Sequence, residues 1–398
     1  MKAVELFAGA GGLGIGISRA GFTPARIIEW DRDCQETLRA NRKARLSFTS
    51  GWPAEIEADV RHADFKKHEG KLALVSGGPP CQPFSVGGRH QAQADRRDMF
   101  PEAVRAVREA KPQAFIFENV RGLTRQSFNS YYEYVKLQMQ YPELVARGGE
   151  DWSKHLRRLE RHHTSQRGDR GLEYRLITEV LNAADYGVPQ KRHRVFFVGF
   201  RSDLGVEWSF PEATHSHDAL LWDQFNGDYF DRHKVRKADR WANAERARKR
   251  ARGLILKPDL LPWETVRDAI SGLPDPEKDP ESASEHRNHR FQPGAKSYPG
   301  HTGSPLDEPA KALKAGVHGV PGGENMLARP DGSVRYFTVR ESARLQTFPD
   351  SYRITGVWSE AMRQLGNAVP VDLAAIVARD VARMLLAREI AVASDRSH

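Results

Sequence analysis

The chain has 398 residues, 39% hydrophobic and 28% charged, with a formal net charge of +9. That composition reads as soluble and globular, on the polar side, and no apolar stretch nears the roughly 18 residues a membrane helix needs. Only Cys34 and Cys81 are present, which excludes a disulfide framework or a cysteine-rich metal site and fits a reducing cytosol. The positive balance points to a polyanionic partner, or to a soluble protein that is merely basic. The length suits two or three domains.

Taken in order, Ala3-Val4-Glu5-Leu6-Phe7 reads as a first strand, and no signal-peptide pattern precedes it. The glycine-rich run 9–16 and a short helix to Gly21 follow. Strand, glycine turn and helix open a nucleotide-binding βαβ unit, and NAD, FAD and S-adenosylmethionine enzymes all use such turns. A second strand, residues 26–29, ends on Glu29, as a ribose-binding position would, and Asp31 is the N-cap of a helix to about Asn41. Asp59 closes a possible third strand.

The apolar run 72–75 then leads into Gly77-Gly78-Pro79-Pro80-Cys81-Gln82-Pro83-Phe84-Ser85. Two glycines and two prolines stop the strand and hold one thiol at its carboxyl end, where open α/β sheets bind ligands. A buried structural cysteine in a tight turn is the alternative. Residues 86–100 read as a mobile loop beside the thiol, or as a solvated surface loop. Ala114-Phe115-Ile116-Phe117 is another buried strand, with Glu118-Asn119-Val120 at its end. An acid there is either a fold-locking carboxylate or a catalytic one.

Residues 125–172 read as an insertion on the domain edge, with an amphipathic helix at 152–163 carrying Trp152, Leu156 and Leu159. Tyr174–Asn182 resumes the sheet, and the basic run 190–194 enters a further apolar strand, 195–198. After Phe200 the βα alternation stops. The stretch 232–252 holds ten Lys or Arg and two acids. A solvated helix would account for its better part, and contact with phosphates would account for the charge.

Together these residues resemble the DNA (cytosine-5)-methyltransferases, over residues 1–124, 173–200 and about 308–387. The motifs stand in the family's order. The resemblance implies that Phe7, Ala8, Gly9, Gly11, Gly12 and Leu13 form the first cofactor motif. It implies that Glu29 and Trp30 hold the ribose and adenine of S-adenosylmethionine, and that Asp59, Val60 and Pro80 contact it too. Asn367 and Val369, in Gly366-Asn367-Ala368-Val369-Pro370, would fold back to complete that pocket. Cys81 would be the nucleophile, Glu118 the base-contacting acid, and Arg194 the group on cytosine O2, with Arg192 a lesser candidate. Residues 340–346 match a further motif. One departure is Lys311-Ala312-Leu313: either Ala312 stands in place of the family's usual threonine and its backbone-supporting contact is made otherwise, or the motif aligns a few residues away.

The expected fold is α/β: a Rossmann-like methyltransferase domain, residues 1–200 and 337–398, and a smaller target-recognition domain, 201–336. The expected activity is methyl transfer from S-adenosylmethionine, without a metal, to C5 of a flipped-out cytosine in duplex DNA through a covalent Cys81 intermediate. A prokaryotic, cytoplasmic monomer, nucleoid-associated through DNA and paired with a restriction endonuclease, fits the length. The family's tRNA branch, an inactive DNA-binding regulator and a dinucleotide oxidoreductase are the competing readings. The last has no use for a Pro80-Cys81 turn beside Glu118.

Overall fold

Apolar residues at strand spacing give the first compact unit its sheet. In a computed structural model that describes residues 1–80, 98–165, 171–240, 245–315 and 325–395, the strands are β1 (Lys2–Leu6), β2 (Thr23–Ile28), β3 (Leu74–Gly77), β4 (Ala114–Val120), β5 (Tyr174–Asn182), β6 (Gln190–Lys191) and β7 (His193–Arg201). All but β6 form one six-stranded sheet in the order β2-β1-β3-β4-β7-β5. The first four run parallel, and β7 is antiparallel to β4. The chain reverses its direction of travel between β1 and β3, the switch point at which such sheets bind ligands. Cys81 and residues 86–97 of the expected loop lie outside the described residues.

The connecting helices are α1 (Gly12–Arg19), α2 (Arg32–Lys43), α3 (Phe100–Ala110), α4 (Asn129–Gln140) and α5 (Trp152–Thr164). The Asp31 carboxylate accepts the Cys34 N–H and caps α2 as expected. The segment before Asp59 does not become a strand. It makes one bridge, Ile28 to Glu57, and Asp59 then caps a single turn of 3-10 helix, Val60–His62. Pro53 and the charges at 55 and 57 leave too few apolar residues to extend pairing.

Phe100, Phe115, Phe117 and Phe197 fill the core, with the Phe100 and Phe197 ring centres 5.8 Å apart. Each such side chain contributes about 1.5–3 kcal/mol through burial. The expected amphipathic helix is α5, with Leu156 and Leu159 buried. Tyr131, Tyr134 and Val135 of α4 join the same core, so much of 125–172 is built into the unit rather than appended to it.

The unit comprises residues 1–181, 193–211 and 375–398. Its last helix runs Val371–Asp395, and within the unit Trp208 Nε1 donates to Asp380 at 2.6 Å. The second unit comprises 182–192 and 212–374. These boundaries differ from 200 and 337, because residues 337–374 pack with 182–192 through buried polar contacts rather than through regular strands. Two small apolar clusters, one around Val266, Leu313 and Phe337 and one around Leu220, Tyr229 and Phe230, sit between short helices and two- or three-residue strands. Among the described residues no helix is long and apolar enough to cross a membrane.

Candidate active site

Three neighbouring strands end together in the first unit. Leu6 of β1 pairs with Gly77 of β3, and Gly77 pairs with Phe117 of β4. A Cβ at Gly77 would lie 2.5 Å from the Leu6 carbonyl oxygen, so only glycine lets the strands close there. Gly78 then passes the Glu118 carboxylate, 3.3 Å from where its Cβ would be. The Asn119 amide donates to the Pro79 carbonyl at 2.8 Å, and the Met99 N–H donates to Pro80 O at 3.1 Å. Both contacts fix the turn that leads into Cys81.

Glu118 is 6% exposed, and Arg194 Nε lies 2.7 Å from its Oε1. The register explains the pairing: Val120 faces Arg194 and Glu118 faces Phe196, so acid and base are diagonal neighbours on one face. Burial pulls the Arg194 guanidinium below its usual range, and Glu118 offsets part of that. Arg192 has different partners. Its guanidinium, fully buried in the second unit, donates to the carbonyls of Leu313 at 2.9 Å, Gly366 at 2.6 Å and Ala368 at 2.9 Å.

The turn after β1 has the shape a cofactor cradle needs. Phe7, Gly9 and Gly11 have φ of 54°, 55° and 85°, and nothing lies within 4 Å of where a Gly9 Cβ would be. A bulky residue such as Phe7 adopts that backbone only under constraint. Gly11 starts α1 without a side-chain cap; the Gly14 N–H of the first turn meets the buried Glu5 carboxyl, and the Gly12 and Leu13 N–H groups ahead of it are left to a polar ligand. Ala8, Gly12 and Leu13 are buried in the same turn.

Glu29 reaches this turn from β2. Its carboxylate accepts the Gly9 N–H at 2.6 Å and the Asp31 N–H at 2.7 Å. Burial raises its pKa, and those N–H groups act against the rise. Trp30 beside it is 67% exposed. The Arg61 guanidinium lies 5.0 Å from the Trp30 ring centre and pairs with the Asp59 carboxylate at 2.7 Å. Val60 is buried beneath. An open glycine turn, an oriented acid and an exposed indole fit a nucleoside-bearing cofactor such as S-adenosylmethionine.

Asn367 and Val369 lie in the second unit. Asn367 ends the helix Trp358–Asn367 and is exposed in an otherwise buried stretch. Its backbone is held by residues that motif reading alone does not single out. The Gln346 amide donates to Leu365 O at 2.6 Å, beside the Arg192 contacts, and Gln190 donates to Leu345 O at 3.1 Å. A Cβ at Gly366 would meet the Ala315 N at 2.4 Å. Ala312 leaves no gap in this support. Gln190 accepts the Leu313 N–H at 3.0 Å, and Asn325 exchanges hydrogen bonds with the Lys314 backbone at 3.0 and 2.9 Å. Polar residues inside the short runs 190–194 and 340–346 are the signal for these roles.

A glycine cradle at a topological switch point, beside a clamped proline turn and a buried acid–arginine pair, defines a nucleotide-cofactor α/β enzyme. The sequence model of the C-5 cytosine-specific DNA methylase family matches residues 1–141 and 169–383. The chain belongs to that family and is a DNA (cytosine-5)-methyltransferase, an S-adenosylmethionine-dependent class. Type II methyltransferase M.PspPI of Psychrobacter sp. is 31% identical over 390 residues, 96% of this chain and 79% of that one. Type II methyltransferase M.NgoMIV of Neisseria gonorrhoeae is 29% identical over 382 residues, 96% and 97% of the two chains. A solved DNA modification methyltransferase from an E. coli prophage matches with a TM-score of 0.57 at 21% identity, over 97% and 99% of the chains, a likeness of fold.

Proposed function

We propose that this enzyme methylates C5 of a flipped cytosine at one duplex DNA sequence through a covalent Cys81 intermediate, as the modification half of a restriction-modification pair. The observation that carries the reading is the Glu118–Arg194 pair, buried on one strand face beside the turn that Asn119 clamps. Relatives named Type II methyltransferases support the pairing with an endonuclease. The enzyme would act as a cytoplasmic monomer on double-stranded DNA.

Cytosine C5 is a poor nucleophile until a thiolate adds to C6. Cys81 would make that bond, which turns the ring into an enamine able to attack an electrophilic methyl. Free cysteine has a pKa of roughly 8.5, so only a few per cent is thiolate near neutrality. Glu118 would hold a proton at N3 as charge reaches the ring, and Arg194 would bind O2 from its position beside Glu118. S-adenosylmethionine, when bound, supplies the methyl group on a sulfonium. Phe7, Gly9, Gly11, Glu29, Trp30, Asp59 and Pro80 would hold it. Arg192 would keep the Gly366–Ala368 backbone in place and leave O2 to Arg194. Loss of the C5 proton and breakage of the Cys81–C6 bond then release the product. Extruding the base costs a few kcal/mol.

Bisulfite sequencing of DNA from cells that express the protein tests the reading. One sequence protected at one cytosine is expected, and Cys81→Ser should abolish it. Protection that persists in Cys81→Ser, or none with the wild type, contradicts it.

A further inference from the structure

Four large aliphatic side chains stand in solvent within seven residues of the second unit. Ile255 is 89% exposed, Leu256 80%, Leu261 58% and Leu260 40%. Contiguous exposed aliphatics mark an interaction surface, whereas single ones need no explanation.

The loop is braced at both ends, so its apolar residues are held outward. On one side the helix Glu245–Arg252 is tied by Arg250 to Asp218, 2.6 Å apart. On the other, Leu261–Pro262 pairs with His215–Ser216, and the Leu261 N–H donates to Thr214 O at 3.0 Å. Trp263 Nε1 donates to Asp185 at 2.9 Å. Gly253 and Pro258 stand on either side of the exposed pair.

Charge identifies the partner. Residues 245–257 contain six Lys or Arg and one acid. Among the described side chains, Lys249, Arg252 and Lys257 form no ion pair. An apolar pair bracketed by exposed cations complements a polyanion that also has apolar surface. Duplex DNA has both: phosphates along the groove, and base edges with thymine methyl groups inside it.

We infer that Ile255 and Leu256 are the apolar part of the base contact, with Lys249, Arg252 and Lys257 on the flanking phosphates. This rests on the reading that the enzyme methylates a specific duplex sequence. The two kinds of contact separate by salt. Phosphate contacts release counterions and steepen the salt dependence, while an apolar contact leaves it unchanged.

The test measures binding of wild type, Ile255→Ser/Leu256→Ser and Lys249→Ala/Arg252→Ala to target and random duplexes across a salt series. Methyl transfer and thermal unfolding are recorded alongside. The apolar variant should lose at least about tenfold affinity for the target, less for random duplex, with an unchanged salt slope. Its unfolding temperature should not fall, because exposed side chains are removed. The basic variant should lose affinity for both duplexes and show a flatter slope, by up to about two units. Target affinity and turnover unchanged in the apolar variant overturn the inference. So does loss, in that variant only, of binding to phosphatidylglycerol vesicles or of self-association in sedimentation, with DNA affinity intact. A wild type that transfers methyl to no duplex overturns instead the reading beneath it, so the two failures are distinct.

Discussion

Glu118 and Arg194 share a buried face because β4 and β7 are antiparallel neighbours two positions out of direct opposition. An acid placed where charge develops acts on the transition state more than on bound substrate. Glu118→Gln should therefore lower kcat by about 10²–10³ and leave DNA affinity nearly intact. Steady-state kinetics decide it, and an unchanged kcat removes Glu118 from the chemistry. The two neighbouring arginines should part in the same experiment. Arg192→Met leaves three carbonyls without their donor and should destabilise the fold by about 3 kcal/mol or more. Arg194→Met should cut turnover with a smaller shift in unfolding temperature. Equal behaviour of the two variants contradicts this division.

Glu5 offers a pH test at the same scale. It is fully buried under the α1 turn, and burial pushes its carboxyl up to about 8 from an ordinary 4.5, with the Gly14 N–H acting against the rise. Below pH 4.5 the folded and unfolded chains both hold the proton. Between about 4.5 and 8 only the folded chain keeps it, so stability falls as pH rises, by up to about 1.4 kcal/mol per unit, and levels off above 8. Glu5→Gln should match wild type near pH 5 and exceed it near pH 8 in urea unfolding. A variant with the wild-type pH slope contradicts the assignment.

Among the elements, the helix Glu245–Arg252 lies in the most basic stretch of the chain. Its formal charge overstates its field. Within 232–252, Arg232, Arg236, Arg240 and Arg250 all pair with aspartates. Replacing Arg246, Arg248, Lys249 and Arg250 with Ala keeps helix propensity high. The slope of log DNA affinity against log salt should flatten by about three units, with S-adenosylmethionine affinity and sequence preference unchanged. Parallel slopes would mean a solvated helix only. Elements whose pattern is local were legible in the sequence: the Asp31 cap, the amphipathic spacing of Trp152, Leu156 and Leu159, and the strands that end at Gly77 and Val120. The Asp59 strand was not, because one bridge to Ile28 depends on a neighbour that periodicity does not encode.

At the scale of the whole molecule, motif order made the family readable before any geometry, since eight short runs occupy their expected sequence positions. The division into units was less readable. Residues 337–374 join 182–192 through Arg192 and Gln190 on backbone carbonyls, and contacts across more than a hundred residues leave no local pattern. The same network reaches the backbone just after Ala312, where Gln190 accepts the Leu313 N–H and Asn325 the Lys314 N–H. The central claim remains the covalent path through Cys81. A duplex with 5-fluorocytosine at the methylated position, incubated with enzyme and S-adenosylmethionine, tests it most directly, because fluorine cannot leave as the C5 proton does. Mass spectrometry of the digested complex should find the nucleotide on the peptide containing Cys81, and only when the methyl donor is present. An adduct on another residue, or methylated DNA released without any adduct, would contradict the account.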